Sequence, residues 1–281
     1  MKDIAIVYIC TGKYDVFWKD FYLSFEEKFI PSRTKDYFVF TDSTSLYGAE
    51  QENVHVIYQE NLGWPRNTLY RFRIFLAQEE ELKKYEYVFF MNANVLCVDS
   101  IGEEFLPEKE GLLFVKHPGQ YNKKKRDVTY ERNPLSAAYI PVGEGKHYVC
   151  GGVNGGKSRD FLQMCRVLDE RIAQDEEKGI IAVWHDESHI NRYCYEYKKA
   201  KILNPGYCYP EGWKLPFKAK LVVREKSKYI DVNEAKGVVE TTEPEVEQET
   251  GFRIRLRYKI IAVGVIALLV VYAVVRMLMN L

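Results

Sequence analysis

The stretch YVFFMNAN, residues 87–94, carries the clearest fold signal in this chain of 281 residues. Its first part, Tyr87–Met91, is an unbroken run of apolar and aromatic residues, which is typical of a strand buried on both faces of a sheet. Two amides, Asn92 and Asn94, follow at once. The pattern predicts a central strand whose carboxyl end presents polar side chains.

Similar runs extend through the first 230 residues. The other strand-like runs are Ile4–Ile9, Tyr37–Thr41, Val54–Tyr58, Leu112–Val115, Lys201–Leu203 and Lys220–Val223. The helix-like runs are Val16–Phe29, Asn67–Lys84, Arg159–Glu176 and Glu187–Tyr197. Strands that alternate with helices predict an α/β sheet with helices on both faces, and such sheets bind ligands at the carboxyl ends of their strands. The loops after Ile9 and Met91 are therefore the first candidates for a binding site.

Composition narrows the class of protein. Lys plus Arg and Asp plus Glu both total 40, so the formal net charge is zero, which argues against a general nucleic-acid binder. The six cysteines form no C-x-x-C pair, which does not indicate a zinc site and fits a reducing cytoplasm. Met1, Lys2 and Asp3 run directly into a strand-like segment, so we expect no N-terminal export signal.

The sequence predicts three regions. Residues 1–230 form the α/β domain, and residues 231–252 form an acidic linker, which has no aromatic residue from Asp231 to Gly251; the alternative for the linker is an edge element packed on the domain. Residues 253–281 begin with four basic residues, Arg253, Arg255, Arg257 and Lys259, which the run IIAVGVIALLVVYAVV at 260–275 and then Arg276 follow. We expect this run, with its flanking residues, to cross a lipid bilayer once, although it is short against the ~20 residues of a typical span. The alternative is a buried core helix. The basic cluster predicts that the α/β domain is cytoplasmic, at the inner membrane.

The amides Asn92 and Asn94 suggest a site for a ligand rather than for a metal. Neutral amides bind divalent metals weakly, but they donate and accept hydrogen bonds to hydroxyl groups. The alternative is a capping or Asx-turn role. If a diphosphate binds here, basic side chains must neutralise it. The candidates are Arg71, Lys218, Lys220, Arg224, Lys226 and Lys228.

The segment WHDESH, Trp184–His189, concentrates groups that are able to do chemistry. Asp186 is placed as the N-cap of the following helix, and Glu187 falls in its first turn, where the helix dipole is expected to lower the carboxylate pKa. The alternative is a capped helix start with a buried tryptophan. A zinc site on His185 and His189 would have the i, i+4 spacing, but the pattern is not H-E-x-x-H.

The glycines of GGVNGG, residues 151–156, predict a tight turn between a strand and the Arg159 helix. Such a turn allows the backbone to approach a ligand closely. The segment contains neither G-x-G-x-x-G nor a P-loop, so it indicates neither a Rossmann nor an NTPase site.

Taken in chain order, these segments resemble glycosyltransferase family 6, which includes the histo-blood-group A and B transferases. The matching stretches are Tyr37–Asp42 (YFVFTD), His117–Tyr121 (HPGQY), Thr129–Arg132 (TYER), Ala138–Pro141 (AYIP), GGVNGG and Trp184–Ser188 (WHDES). The bacterial branch is the most similar, through ICTGKYD at residues 9–15, NLGWP at Asn61–Pro65 and YPEGW at Tyr209–Trp213.

The resemblance implies a GT-A fold and retaining transfer of N-acetylgalactosamine or galactose from a UDP donor, usually in α-1,3 linkage to a galactose that is often fucosylated. It implies that Glu187 is the catalytic carboxylate, acting as nucleophile or as stabiliser of an oxocarbenium-like transition state. The implied donor-binding residues are Ile9, Cys10, Thr11, Tyr14, Arg71, Asn92, Asn94, Cys150, Gly151, Gly152 and Asp186. The implied acceptor-binding residues are His117, Thr129 and Trp184. An acceptor-contacting carboxylate of the animal enzymes falls at Pro210 or Glu211.

Three features set this chain apart from the animal pattern. Asn92-Ala93-Asn94 stands where those enzymes have Asp-x-Asp, which predicts transfer without a divalent metal or other cofactor. The membrane anchor is expected at the C-terminus, whereas the animal enzymes carry it at the N-terminus. Glycine at position 152 leaves room for an acetamido group and so favours UDP-N-acetylgalactosamine.

Several partners and alternatives follow from the resemblance. The expected acceptors are oligosaccharides or glycolipids, such as surface-polysaccharide intermediates or glycans similar to blood-group H. The basic segment Lys218–Lys228, including Lys220 and Arg224, is expected to close over bound donor as a lid. The alternatives are a membrane-tethered carbohydrate-binding protein without turnover, a zinc hydrolase that uses His185 and His189, and a metal-dependent galactosyltransferase.

Overall fold

The structure, a computed structural model, describes residues 2–232. Within that range the chain forms ten strands, numbered in chain order: β1 (Lys2–Ile9), β2 (Lys35–Thr41), β3 (Val54–Tyr58), β4 (Tyr85–Met91), β5 (Val95–Cys97), β6 (Leu112–Lys116), β7 (Val149–Lys157), β8 (Lys201–Leu203), β9 (Tyr209–Pro210) and β10 (Leu221–Val223). The same residues form six α-helices: α1 (Trp18–Lys28), α2 (Arg66–Leu69), α3 (Arg71–Leu76), α4 (Glu79–Leu82), α5 (Ser158–Glu177) and α6 (Asp186–Glu196). All seven strand-like runs of the sequence coincide with strands, except that Lys220 lies one residue before β10.

Seven strands form the central sheet, in the order β3-β2-β1-β4-β7-β6-β8. All neighbouring pairs are parallel except the two that involve β7, which runs antiparallel to β4 and β6. Val7 of β1 is opposite Phe90 of β4, so the loops after Ile9 and Met91 leave the same edge of the sheet. The predicted mixed, mainly parallel sheet is confirmed, and it has the layout of a GT-A fold.

Apolar layers cover both faces of this sheet. On one face α1 packs the rings of Trp18, Phe21 and Phe25 against β1 and β4. On the other face Phe75 of α3 and Phe161 of α5 pack against the opposite side chains of the same strands. Each face removes a large aromatic area from water, at roughly 25 cal/mol per Å² of apolar surface. Helices therefore lie on both faces, as predicted.

The Gly-rich segment is a strand, so the prediction of a tight turn at residues 151–156 was wrong. These residues belong to β7, which lies inside the sheet between β4 and β6. A Cβ on Gly155 would come within 2.4 Å of the Val88 carbonyl oxygen, and one on Gly156 within 2.1 Å of the Gly111 carbonyl oxygen. The glycines are therefore needed for close approach of neighbouring strands and not for a reversal of the chain.

The helix predicted over Asn67–Lys84 is divided into α2, α3 and α4. The chain leaves α-helical geometry at Tyr70 (φ −89°, ψ 6°) and again at Gln78 (φ −111°, ψ 21°). Beside the first break, Nε of Arg71 donates to the Thr68 carbonyl at 3.0 Å, an acceptor that a continuous helix would use internally. The start of the Val16–Phe29 run also differs, since its first residues belong to a 3₁₀ turn, Gly12–Phe17.

A second, three-stranded sheet has the order β5-β10-β9. It pairs Val223 of β10 with Val95, directly after Asn94. The segment that follows β10 is therefore held beside the carboxyl end of β4.

No helix within residues 2–232 is long and apolar enough to cross a membrane. The predicted transmembrane segment, residues 253–281, and most of the predicted acidic linker lie outside the described residues.

Candidate active site

A cavity of ≈ 190 Å³ opens at the carboxyl ends of β1 and β4, where the sequence placed its first candidates. The loop after β1, the turn after β4, the helices α2 and α3 and the segment after β10 all contribute to its wall. The lining residues are Ile9, Thr11, Tyr14, Trp64, Asn67, Thr68, Arg71, Phe90, Asn92, Ala93, Asn94 and Lys226. Cys10, in contrast, is fully buried, and its backbone N–H bonds Phe40 of β2.

The two amides after β4 have different surroundings. Asn92 lines the cavity, and its backbone N–H donates to the Gly152 carbonyl at 2.8 Å. Asn94 is buried, and its Nδ2 donates to the Arg224 carbonyl at 2.6 Å, while the Arg224 N–H donates back to the Asn94 carbonyl at 2.9 Å. An aspartate at position 94 would face the Arg224 carbonyl with an acceptor, so this contact requires the amide.

Arg71 joins the cavity to the strand β7. Its buried guanidinium stacks on the Phe90 ring at 4.5 Å and donates to the Gly151 carbonyl at 3.4 Å. It also lies 3.2 Å from Oδ2 of Asp186. A guanidinium keeps its charge in such a buried position, so it supplies a permanent positive charge at the cavity wall.

Asp186, the first residue of α6, is almost fully buried. Its Oδ2 atom is close to Arg71 but accepts no hydrogen bond. Burial raises the pKa of Asp186 to about 6, and the positive charge of Arg71 offsets that effect only in part.

This shift predicts a pH-dependent difference in stability between the wild type and Asp186→Asn. Between about pH 4 and pH 6 the native carboxyl keeps its proton while the unfolded one loses it, so the native state binds more protons and stability falls as pH rises. We expect the wild type to lose about 2 kcal/mol relative to Asp186→Asn across that range. Urea unfolding of both proteins at several pH values measures this difference; a difference that stays constant or rises with pH would contradict it.

Glu187 lies in the first turn of α6, and both of its carboxylate oxygens are held. Oε2 accepts the Gly151 N–H at 2.8 Å, and Oε1 accepts the Tyr148 hydroxyl at 2.8 Å. The expectation of a lowered pKa was wrong, because burial raises the pKa of Glu187 more than these two hydrogen bonds lower it. The N-cap is also displaced from the predicted Asp186 to His185, whose φ of 53° is a conformation that non-glycine residues rarely adopt.

The backbone of β7 passes close to these carboxylates. A Cβ on Gly151 would lie 3.2 Å from Cβ of Glu187, and one on Gly152 would lie 3.4 Å from Asn92. Cys150 is buried beside Cys208, and this neighbour together with burial raises the pKa of its thiol, which keeps it neutral. The three residues therefore form a tightly spaced wall between Asn92 and Glu187.

The predicted acceptor residues His117, Thr129 and Trp184 surround Tyr148 and Glu187. Nε1 of the half-exposed Trp184 donates to the Thr129 carbonyl at 3.0 Å. The His117 ring meets the Tyr148 ring edge-on at 5.6 Å, and burial lowers the His117 pKa to about 4, so this imidazole is neutral at physiological pH.

Other predicted residues lie away from the cavity. Lys220 donates to the Ser100 carbonyl at 2.8 Å and lies near Glu104. The guanidinium of Arg224 is buried between the rings of Phe17 and Tyr229, 2.8 Å from Asp20. Glu211 accepts the Glu225 N–H at 2.7 Å and pairs with Lys228, so it anchors the segment after β10. Lys226 is the cation of that segment that reaches the cavity.

Residues of the site that the sequence did not predict include Tyr148 and Trp64, besides Asn67, Thr68 and Phe90 in the cavity wall. Tyr148 directly precedes β7, and the position of β7 in the sheet brings it to Glu187. Trp64 lines the cavity, and its ring lies 4.9 Å from that of His185. Trp64 belongs to the NLGWP stretch, which resembles the bacterial branch of the family but indicates no role for this residue.

The zinc interpretation of His185 and His189 was wrong. His189 is buried, with Nε2 at 3.6 Å from Asp175, while His185 packs on Trp64. Across residues 2–232 there is no group of three His, Cys, Asp or Glu side chains that could hold a metal ion.

Known proteins are similar to this chain over nearly the same residues that the structure describes. The model of glycosyltransferase family 6 matches residues 2–234. The O-antigen biosynthesis glycosyltransferase WbnI of Escherichia coli is 39% identical over 225 residues, which are 80% of this chain and 95% of that protein. Histo-blood group ABO system transferase 1 of Rattus norvegicus is 32% identical over 220 residues, 75% of this chain and 62% of that protein. Globoside alpha-1,3-N-acetylgalactosaminyltransferase 1 of Gallus gallus is 28% identical over 217 residues, 74% of this chain and 62% of that protein. The resemblance drawn from the sequence is confirmed: the chain belongs to glycosyltransferase family 6 and is a hexosyltransferase.

Proposed function

We propose that this enzyme transfers N-acetylgalactosamine, or galactose, from a UDP donor to a galactose-containing acceptor in α-1,3 linkage, with retention and without a divalent metal. The observation that carries the proposal is the fixed Glu187 carboxylate, held by Gly151 and Tyr148 beside the Arg71–Asp186 pair. The names of the relatives from Escherichia coli, Rattus norvegicus and Gallus gallus support this class of reaction.

Glu187 has the features that retaining transfer requires. Two hydrogen bonds fix its oxygens, and each oxygen retains a lone pair that can face an anomeric carbon. Positive charge that develops on the sugar in the transition state is stabilised by this carboxylate, whether or not a covalent bond forms. Arg71 and Asp186 border the same point, and we assign them to the donor.

The side chains at the turn after β4 support transfer without a divalent metal. Asn92 and Asn94 offer only neutral amide oxygens, which bind divalent metals weakly, in place of carboxylates. We therefore assign the neutralisation of the departing diphosphate to Arg71 and Lys226, the two cations that line the cavity. Fixed positive charges at a leaving group stabilise the transition state without any bound ion.

This assignment predicts that Lys226→Ala raises the KM for the UDP donor about tenfold, since one charge-assisted contact to phosphate is lost. Lys220→Ala is the matched control, because its ammonium binds the Ser100 carbonyl away from the cavity. We expect the control to change the donor KM less than about twofold. Initial-rate measurements in excess EDTA compare the two variants; equal effects on donor KM would exclude a specific role for Lys226.

Glycine at position 152 supports a preference for the acetamido sugar. Its missing side chain faces Asn92 at the cavity wall, where a Cβ would be 3.4 Å away. Cys150 and Gly152 lie on either side of Gly151, which holds Glu187. We therefore favour UDP-N-acetylgalactosamine over UDP-galactose.

On the acceptor side, we propose that Trp184, His117 and Thr129 position an oligosaccharide or glycolipid, with fucosylated glycans as good candidates. The neutral His117 and the exposed edge of Trp184 combine an apolar face with polar tips, which suits a sugar ring.

The apolar run at residues 260–275 supports a further proposal, that the enzyme works at the cytoplasmic face of an inner membrane.

The test of the proposed function is UDP release by the full chain in detergent, with either donor and 2′-fucosyllactose, in excess EDTA. We expect release that depends on the acceptor and is faster with UDP-N-acetylgalactosamine. Release that appears only after manganese is added would overturn metal independence and keep the transferase. Binding of the glycan without release under both conditions would favour a carbohydrate-binding protein instead.

A further inference from the structure

A second cavity, of ≈ 510 Å³, lies apart from the active-site cavity, and four of its twelve lining residues are basic. Its basic members are Lys125, Lys146, His147 and Lys198. One acidic residue, Glu144, also borders it, and the hydroxyl of Tyr195 bonds that carboxylate. The less polar part of its lining includes Tyr197, Ala200 and Ile202.

Glu144 offsets only part of the positive charge of this cavity, and none of its three lysines forms an ion pair with a residue that the structure describes. Many lysines of the domain form ion pairs, for example Lys83, Lys157 and Lys228. Within residues 2–232, Lys125, Lys146 and Lys198 have no carboxylate within 4.0 Å of their ammonium groups. Burial, together with Lys116 and Lys146, lowers the pKa of His147, in keeping with a locally positive potential. Because the whole chain has a formal net charge of zero, this group of basic side chains is a property of the cavity and not of the chain as a whole.

The cavity is close to the acceptor side of the active site. Gly145 borders it, and a Cβ at that position would lie 2.6 Å from the Tyr130 ring. The Tyr130 and Tyr148 rings are 5.2 Å apart, and the Tyr148 hydroxyl bonds Glu187. Two aromatic rings therefore separate the cavity from the catalytic carboxylate, and Lys125 belongs to the loop between His117 and Thr129.

We propose that this cavity binds the phosphate or diphosphate group that joins the acceptor glycan to a lipid carrier. The inference rests on the proposed function, since it names the chemical class of the acceptor. Lysine ammonium groups form strong charge-assisted contacts to phosphate oxygens. The less polar part of the lining suits the first carbon atoms of a lipid chain next to the phosphate. A glycan bound at Trp184 and His117 would then extend from Glu187 to the second cavity, which would hold the phosphate at its reducing end.

The experiment compares two soluble acceptors, 2′-fucosyllactose and the same trisaccharide with a phosphate at its reducing end, using the full chain in detergent. For the wild type we expect a KM about tenfold lower for the phosphorylated acceptor, with little change in kcat. The double variant Lys146→Gln/Lys198→Gln should lose most of this preference while its rate with 2′-fucosyllactose stays unchanged. The matched control is Lys83→Gln/Lys84→Gln, two exposed lysines far along the sequence from this cavity.

Three outcomes would overturn the proposal. The first is an equal KM for both acceptors in the wild type, and the second is an equal loss on both acceptors in the double variant. The third outcome comes from binding to vesicles of phosphatidylglycerol. If the double variant loses vesicle binding but keeps its preference for the phosphorylated acceptor, the cavity binds the bilayer surface and not the phosphate of a carrier.

A measurement without turnover separates this proposal from the proposed function. Calorimetric titration with inorganic pyrophosphate, in the presence of saturating UDP, reports on the second cavity alone. We expect the double variant to bind pyrophosphate at least about fivefold more weakly than the wild type and the control. Equal pyrophosphate affinities of the three proteins would refute phosphate binding in the second cavity, even if the enzyme transfers sugar. If the double variant binds pyrophosphate more weakly as expected but the wild type transfers no sugar, the proposed reaction is refuted and phosphate binding in the cavity is not.

Discussion

Replacing Glu187 by glutamine is expected to lower kcat on the order of 10³-fold, with a much smaller effect on donor KM. Glutamine keeps the size of the side chain, and its amide oxygen is able to accept one of the two hydrogen bonds from Gly151 and Tyr148. The negative charge is lost, however, and with it both nucleophilic attack and stabilisation of an oxocarbenium-like transition state. The effect therefore falls on the chemical step.

The matched variant is Tyr148→Phe, which removes one hydrogen bond to Oε1 and leaves the charge of Glu187. Because the same hydrogen bond lowers the pKa of Glu187, its loss should move the acidic limb of the pH–rate profile upward. We expect a decrease in kcat of about tenfold. Rates of acceptor-dependent UDP release, measured from pH 5 to pH 9, distinguish the two variants.

If Glu187 only stabilised the fold and took no part in the reaction, the Glu187→Gln variant would behave differently. If Glu187→Gln lowered activity only through unfolding, the melting temperature would fall and the remaining folded fraction would keep its kcat. A normal melting curve with activity above about one-tenth of the wild type would show that another group supplies the catalytic charge.

Replacing Gly156 by alanine is expected to destabilise the domain by about 4 kcal/mol, which lowers its melting temperature by about 10 °C. The new Cβ would lie 2.1 Å from the Gly111 carbonyl oxygen and 2.8 Å from Cα of Leu112, both of them backbone atoms in the centre of the sheet. The φ of 150° at this position adds strain for any side chain. Since backbone cannot move aside as a flexible side chain does, β6 and β7 must separate.

Gly152→Ala in the same strand is the matched control. Its Cβ would meet Asn92 at 3.4 Å, close to an ordinary contact, so we expect a stability change of less than about 1 kcal/mol. Thermal unfolding followed by far-UV circular dichroism reports on the loss of the fold in both variants. Similar melting temperatures for the two alanine variants would mean that β7 does not have the close backbone contacts described here.

The contrast between β4 and β7 shows what kind of element a single sequence predicts well. The run at Tyr87–Met91 is continuous, apolar and long enough to be a buried strand in any context, and the structure has it at the centre of the sheet. The segment at residues 149–157 has four glycines, which are poor strand formers, and it becomes a strand because β4 and β6 leave a narrow space between them. Local propensity contained no information about that space.

The residues of the site show the same contrast, since some of them could be predicted from the sequence and others could not. WHDES identified Glu187 and Asp186 from their own sequence, since they stand together at a helix start. The sequence could not separate Lys226 from Lys220, because both are lysines of one basic segment. Only the pairing of β10 with β5 turns Lys226 toward the cavity and leaves Lys220 beside Ser100.

The sequence by itself determined the α/β class, the family, the edge of the sheet that carries the cavity and the identity of the candidate catalytic carboxylate. These properties depend on periodicity and on short motifs, which are local. The tertiary structure alone decided the partners of Glu187, the raised pKa values of Asp186 and Glu187 and the separation of the two cavities. Those properties depend on burial and on contacts between residues far apart in the chain, such as Tyr148 with Glu187 and Asn94 with Arg224. Dehydration and charge proximity act through space, so they appear only once the strands are paired.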